Sequence, residues 1–127
     1  MRQTDIVIRR TTSDDLEAIG TIYAHHVQTS VATFELTPPD PSEWQRRLQT
    51  VAGDGLPFLT ATRDDQIVGY AYCAPWKVRP AYRHTVEDSI YVAPDAIGCG
   101  VGGRLLDGLI TDCAEAGVRE VIAVIAD

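Results

Sequence analysis

Apolar and polar positions follow two rhythms along this chain, one of period two and one of period three to four. Ile6-Val7-Ile8-Arg9-Arg10 is a short β-type run that closes at Thr11-Thr12. Leu16, Ile19, Ile22, Tyr23 and Val27 then recur at helical spacing, which predicts a helix with one buried stripe. Ser13 or Asp14 is the expected cap, with Asp15 and Glu17 in the first turn. Thr29 to Glu35 is β-branched and reads as extended. Pro38-Pro39 and Pro41 break the chain before a second helix, capped by Ser42 and anchored by Trp44, Leu48 and Val51. Gly53-Asp54-Gly55 ends it. Pro57 to Thr62 and Ile67 to Ala74 form a hairpin-like pair joined by Arg63-Asp64-Asp65-Gln66. Pro75 to Arg83 is an irregular loop, basic and aromatic.

The stretch from His84 to Ala116 organises the rest. A strand (His84 to Val92) feeds a glycine-rich turn (Gly98, Gly100, Gly102, Gly103), and a helix follows to about Ala116. Val101, Leu105, Leu106, Leu109, Ile110 and Cys113 are expected on one face of that helix, and Gly117 stops it. Val121 to Ile125 is almost wholly apolar, the pattern of a strand buried on both faces. The order β-α-(α)-β-β-β-α-β, without repeat or linker, predicts one α/β (α+β) domain over residues 1–127. Asp127 directly follows an apolar strand, so an edge is left to cover, and the domain is expected to be C-terminally incomplete or completed by a partner.

Composition narrows the function classes. A 45% hydrophobic content over 127 residues suits one domain with a modest core. No apolar run reaches the ~18 residues that would span a membrane, so no membrane partner is expected. A net charge of −7 argues against nucleic acid, and any anion must be held by local backbone geometry. Cys73, Cys99 and Cys113 have no metal or disulfide spacing, which points to a reducing cytoplasm and no metal. His25 and His26 are adjacent on a helix and point about 100° apart, too divergent to share a metal easily.

The glycines carry the candidate chemistry. Unpaired N–H groups at a helix start, with the positive end of the helix dipole, make a phosphate site. Gly98-x-Gly100-x-x-Gly103 matches the dinucleotide fingerprint, but Ala93 to Ile97 intervene between strand and turn. A P-loop is excluded by the missing Gly-Lys-Ser/Thr ending. A pyrophosphate loop for coenzyme A is the third reading, and a turn that merely permits tight packing is the fourth. Glu87 lies in the same strand, sharing a face with Ser89 and Tyr91, while Asp88, Ile90 and Val92 share the other. Partial burial raises a carboxyl group's pKa and suits it to take a proton from an ammonium, although Glu87 could equally pair with Arg79 or Arg83. Cys99, at a helix start, is either a reactive thiol or an incidental residue.

Tyr82 to Gly102 (Y-R-H-T-V-E-D-S-I-Y-V-A-P-D-A-I-G-C-G-V-G) closely resembles the GCN5-related N-acetyltransferases. Ile22-Tyr23, Ala32-Thr33-Phe34-Glu35 and Gly69-Tyr70-Ala71-Tyr72 fit the branch with phosphinothricin and methionine-sulfoximine acetyltransferases. The resemblance implies a mixed, splayed central sheet flanked by helices, here without the family's C-terminal strands. It implies acetyl-CoA as co-substrate, a small-molecule amine acceptor resembling an amino acid, no metal and a homodimer. By the same resemblance the backbone of Ile90, Tyr91 and Val92 pairs with the pantetheine arm. Gly98, Cys99, Gly100, Val101, Gly102 and Gly103 cradle the diphosphate, and Glu87 is the general base. Phe34, Ala81, Tyr82 and Arg83 contribute to the acceptor pocket. Two positions depart from the family pattern: Ile97 replaces a usual Gln or Arg, and Cys99 a basic residue. Ile97 and the expected lack of the C-terminal part keep a second expectation in view, a non-catalytic acyl-CoA-binding or dimerising module.

Overall fold

The computed structural model describes residues 6–29, 40–75, 85–98 and 100–123. Strand β1 (Ile6–Arg10) leads into a 3-10 turn (Ser13–Asp15) and helix α1 (Leu16–Thr29). Helix α2 (Pro41–Gly53) precedes the hairpin of β2 (Phe58–Arg63) and β3 (Gln66–Pro75). Strand β4 (Thr85–Val92), helix α3 (Val101–Glu115) and strand β5 (Glu120–Ala123) complete the order read from the sequence.

The five strands form one mixed sheet in the order β1-β2-β3-β4-β5. The first four run antiparallel to their neighbours, and β5 is parallel to β4, reached through α3. Helix α3 covers one face. Cys73 of β3 meets Cys113 of α3 on that face, which also carries Asp88 opposite Cys73 in the ladder. Helices α1 and α2 cover the other face, where Tyr70 packs edge-on against Trp44 of α2 and Tyr91 against Tyr23 of α1. The core fills both layers, with Trp44, Tyr70, Ile19, Leu105 and Leu109 as its largest fully buried side chains among the described residues.

Two glycines set the distance between α3 and the sheet. A Cβ on Gly69 would lie 2.9 Å from Val101 Cγ1, 3.1 Å from the Tyr91 carbonyl oxygen and 3.2 Å from Leu105 Cδ1. A Cβ on Gly108 would lie 2.9 Å from Leu59 Cδ1. The N-terminal turn of α3 therefore rests directly on the β3–β4 pair.

Several boundaries differ from the sequence expectation. The first cap is Thr12 rather than Ser13 or Asp14: its N–H donates to the Asp15 carboxylate at 2.8 Å, the returning half of a capping box. Helix α2 is capped by Asp40, whose Oδ1 accepts from the Glu43 N–H at 2.9 Å and from the Ser42 hydroxyl at 2.8 Å. Pro41 occupies the first helical position, where its missing N–H costs nothing, so the helix starts before Ser42. On α3 the buried stripe is Val101, Leu105, Leu109 and Cys113, and Ile110 is exposed because a flat sheet covers only a narrow arc of the helix. In β5, Val121 and Ile122 are half-buried instead of fully buried. Among the described residues that strand has a neighbour on one edge only, β4. Thr29 belongs to α1, and the remainder of the expected extended segment to Glu35 lies outside the described residues.

Candidate active site

The register of β3 and β4 decides which backbone groups of β4 are free. The Ala93 N–H donates to the Val68 carbonyl at 2.8 Å, and the ladder continues with Val92 opposite Gly69 and Tyr91 opposite Tyr70. Antiparallel pairs alternate between exchanging hydrogen bonds and turning them outward. Tyr91 thus spends its N–H and C=O on β3, while Ile90 and Val92 turn theirs toward the β5 edge. The described pairing of β5 covers Thr85 to Asp88 and stops there. Among the described residues no strand occupies the edge at Ile90 and Val92.

Beyond that edge the chain passes a 3-10 turn (Pro94–Ala96) and enters the glycines. Gly98 and Gly100 adopt left-handed φ of +88° and +83°, which side-chain-bearing residues rarely tolerate, and Gly100 is the cap of α3. The α3 helix has no acidic residue in its first turn, and Arg104 stands exposed there. The amides of Val101, Gly102 and Gly103 have no partner within the helix by its geometry. A turn of left-handed glycines, free amides and a helix dipole fits a diphosphate, and the bare strand edge beside it fits an extended amide-bearing arm. Ile97 is 65% exposed, and its side chain offers no hydrogen-bond donor.

Glu87 and Asp88 diverge as the period-two pattern requires. Glu87 is half-buried on the face of α1 and α2, flanked in the ladders by Ala74 and Ile122. Asp88 is buried under α3, and burial pushes its carboxyl up. His26, weighed from sequence only as a poor metal ligand, reaches the Val92 carbonyl with Nε2 at 3.1 Å and leans on Tyr91. No spacing signal in the sequence points to that contact. Phe34, Ala81, Tyr82, Arg83 and Cys99 lie outside the described residues, as do Arg79 and His84.

A cavity of about 350 Å³ opens at the other end of α3, lined by Arg10, Thr11, Phe58, Asp112 and Glu115 among others. The helix is 15 residues long, so roughly 22 Å separates that cavity from the glycine turn, and the candidate site does not use it. Among the described residues no three His, Cys, Asp or Glu side chains converge, and no helix is long and apolar enough to cross a membrane.

The sequence profile of the acetyltransferase (GNAT) family matches residues 17–127. The chain belongs to this family. Within the GNAT family, a phosphinothricin N-acetyltransferase of Alcaligenes faecalis is 50% identical over 120 residues, covering 94% of this chain and 61% of that protein. An L-methionine sulfoximine/L-methionine sulfone acetyltransferase of Pseudomonas aeruginosa is 35% identical over 112 residues, 87% of this chain and 65% of that protein. The crystal structure of a GNAT superfamily phosphinothricin acetyltransferase from Sinorhizobium meliloti, in complex with acetyl-CoA, matches with a TM-score of 0.92 at 41% identity. That match covers 96% of this chain and 66% of the crystallised one. The chain therefore spans between three fifths and two thirds of the length of these relatives. The mixed five-stranded sheet flanked by three helices is the GNAT fold.

Proposed function

We propose that this GNAT protein is an acetyl-CoA-dependent N-acetyltransferase acting on the amine of a small amino-acid-like acceptor of the phosphinothricin or methionine sulfoximine type. One observation carries the reading: the β4 edge at Ile90 and Val92, where no strand pairs among the described residues, leads to the left-handed glycines at the start of α3. The names of the relatives from Alcaligenes and Pseudomonas support the substrate class.

In this reading the amides from Gly98 through Cys99, Gly100, Val101 and Gly102 to Gly103 hold the diphosphate of coenzyme A. Ile90 and Val92, with Tyr91 between them, hold the pantetheine arm along the strand edge. Acetyl-CoA would supply the acyl group as a thioester to direct attack by the amine, the C–S bond breaking as the amide forms and coenzyme A leaving as a thiolate that takes up a proton. Glu87, on the face away from α3, receives the proton of the acceptor's ammonium directly or through one water, leaving a nucleophilic amine. Backbone N–H groups at the end of β4 oppose the charge that develops on the carbonyl oxygen, a contribution of ~3 kcal/mol in comparable sites. Phe34, Ala81, Tyr82 and Arg83 shape the acceptor pocket. None of these roles requires a cysteine or a metal. A homodimer in the cytoplasm belongs to the same proposal, and a monomer on size-exclusion chromatography would count against the dimer.

Calorimetry with coenzyme A and acetyl-CoA, followed by acetylation assays on a panel of amino-acid-like amines, tests the reading. Binding of both with turnover of one panel member is the expected result. Binding without acetylation of any amine would return the protein to the class of acyl-CoA-binding modules.

A further inference from the structure

Val92 ends β4, and its carbonyl carries a hydrogen bond from outside the sheet. His26, in the last turn of α1, brings Nε2 to 3.1 Å from that oxygen. A carbonyl only accepts, so Nε2 bears the hydrogen and donates. The imidazole also lies against Tyr91, with ring centroids 5.3 Å apart, and Tyr91 meets Tyr23 of α1 at 5.4 Å. Helix α1 thus touches the end of β4 three times, through two ring contacts and one polar bond.

The ladder gives this bond its meaning. The outward groups at the end of β4 are the N–H and C=O of Ile90 and of Val92. His26 occupies one of the two acceptor positions of the last of these. Among the described residues, Ile90 keeps both groups for an extended ligand, and Val92 keeps its N–H and the second acceptor position of its carbonyl.

We infer that His26 is a positioning residue for the acyl-CoA arm: it clamps the Val92 carbonyl to α1 and so fixes the end of the strand edge on which the arm lies. The ligand in this statement rests on the acetyl-CoA reading above, whereas the clamp itself is a contact within the protein. His26 is only half-buried, so its loss leaves the core intact. A neutral hydrogen bond is worth up to roughly tenfold in affinity, which sets the scale of the effect.

The test compares the wild type with His26→Ala and His26→Gln, the second keeping a side-chain N–H donor. Coenzyme A affinity is measured by calorimetry, KM for acetyl-CoA and kcat by steady-state kinetics, and amide exchange at Val92 and Ala93 without ligand. For His26→Ala we expect five- to tenfold weaker coenzyme A binding, a matching rise in KM, kcat within twofold, and faster exchange at both amides. His26→Gln should return each value to within about twofold of wild type. Equal coenzyme A affinity and equal exchange in wild type and His26→Ala would overturn the inference. So would a loss of affinity that His26→Gln does not recover and that leaves the exchange unchanged. A wild type that binds neither coenzyme A nor acetyl-CoA, while exchange still depends on His26, would instead remove the acetyl-CoA reading and leave the clamp standing.

Discussion

Glu87 and Asp88 are chain neighbours whose carboxyl groups lie in different layers of the molecule, Glu87 on the side of α1 and α2 and Asp88 beneath α3. One residue's shift along the strand exchanges these environments. The two carboxylates are therefore separable by mutation. Glu87→Gln should lower turnover at neutral pH by a hundredfold or more while leaving coenzyme A binding nearly intact. Unchanged turnover in that variant, measured at saturating acetyl-CoA, removes Glu87 from its role.

Asp88→Asn should act on stability instead. Burial raises the Asp88 pKa, so the folded state prefers the protonated form. Stability from this group is present at low pH and is lost as pH rises through the folded pKa. Asparagine mimics the neutral form, so the variant should be more stable than wild type at pH 7, by ~1 kcal/mol. Its advantage should vanish near pH 3. Denaturant titrations at the two pH values measure this, and a variant less stable at pH 7 contradicts it.

The opposite sign holds at Asp15. The Arg9 guanidinium, 2.7 and 2.8 Å from its two oxygens, holds the carboxyl below the usual range, helped by the Thr12 N–H. A depressed folded pKa contributes stability above the unfolded value and loses it as pH falls through the folded one. Asp15→Asn should cost about 1–3 kcal/mol at pH 7 and flatten the decline in stability below pH ~4. An acid limb identical to wild type would rule this out.

Gly69 and Gly108 should respond differently to alanine. At Gly69 the new methyl meets Val101 at 2.9 Å and Leu105 at 3.2 Å on α3, with the Tyr91 backbone carbonyl at 3.1 Å closing the other side, so the first turn of α3 must lift. A loss of ~1–3 kcal/mol and weaker coenzyme A binding are expected. At Gly108 the nearest atom is the end of the Leu59 side chain, which can turn away, and alanine favours the helix by about 1 kcal/mol. Gly108→Ala should be close to neutral. Denaturation midpoints for the two variants decide, and equal losses would refute the distinction.

The thiols of Cys73 and Cys113 face each other at 3.6 Å in the core, and burial pushes both pKa values up. Thiolate is the reactive form, so both should resist N-ethylmaleimide in the native protein and react once it is unfolded. Mass spectrometry of labelled peptides reports this directly. Modification of Cys73 under native conditions would contradict the packing.

Much of this fold was legible because its helices and strands obey their periods. Leu16, Ile19, Ile22 and Tyr23 are all buried as the spacing required, and the split of Glu87 from Asp88 follows from alternation alone. The glycines announced the turn before α3, two of them left-handed where the chain reverses into the helix. What the sequence hid is of two kinds. Caps compete locally: Asp40, Pro41 and Ser42 all suit a helix start, and only the hydrogen bond to the Glu43 N–H shows which prevails. Contacts between distant elements carry no periodic signal, and the reach of His26 across 66 positions to Val92 is of that sort.

The left-handed glycines at 98 and 100 have one more consequence. A grip made of peptide nitrogens contains nothing that titrates, and a diphosphate diester stays ionised from mild acid to strong base. On the proposed reading the hold on the diphosphate should then be deaf to acidity, which leaves the acceptor amine and the Glu87 carboxylate as the groups to examine for pH sensitivity in turnover.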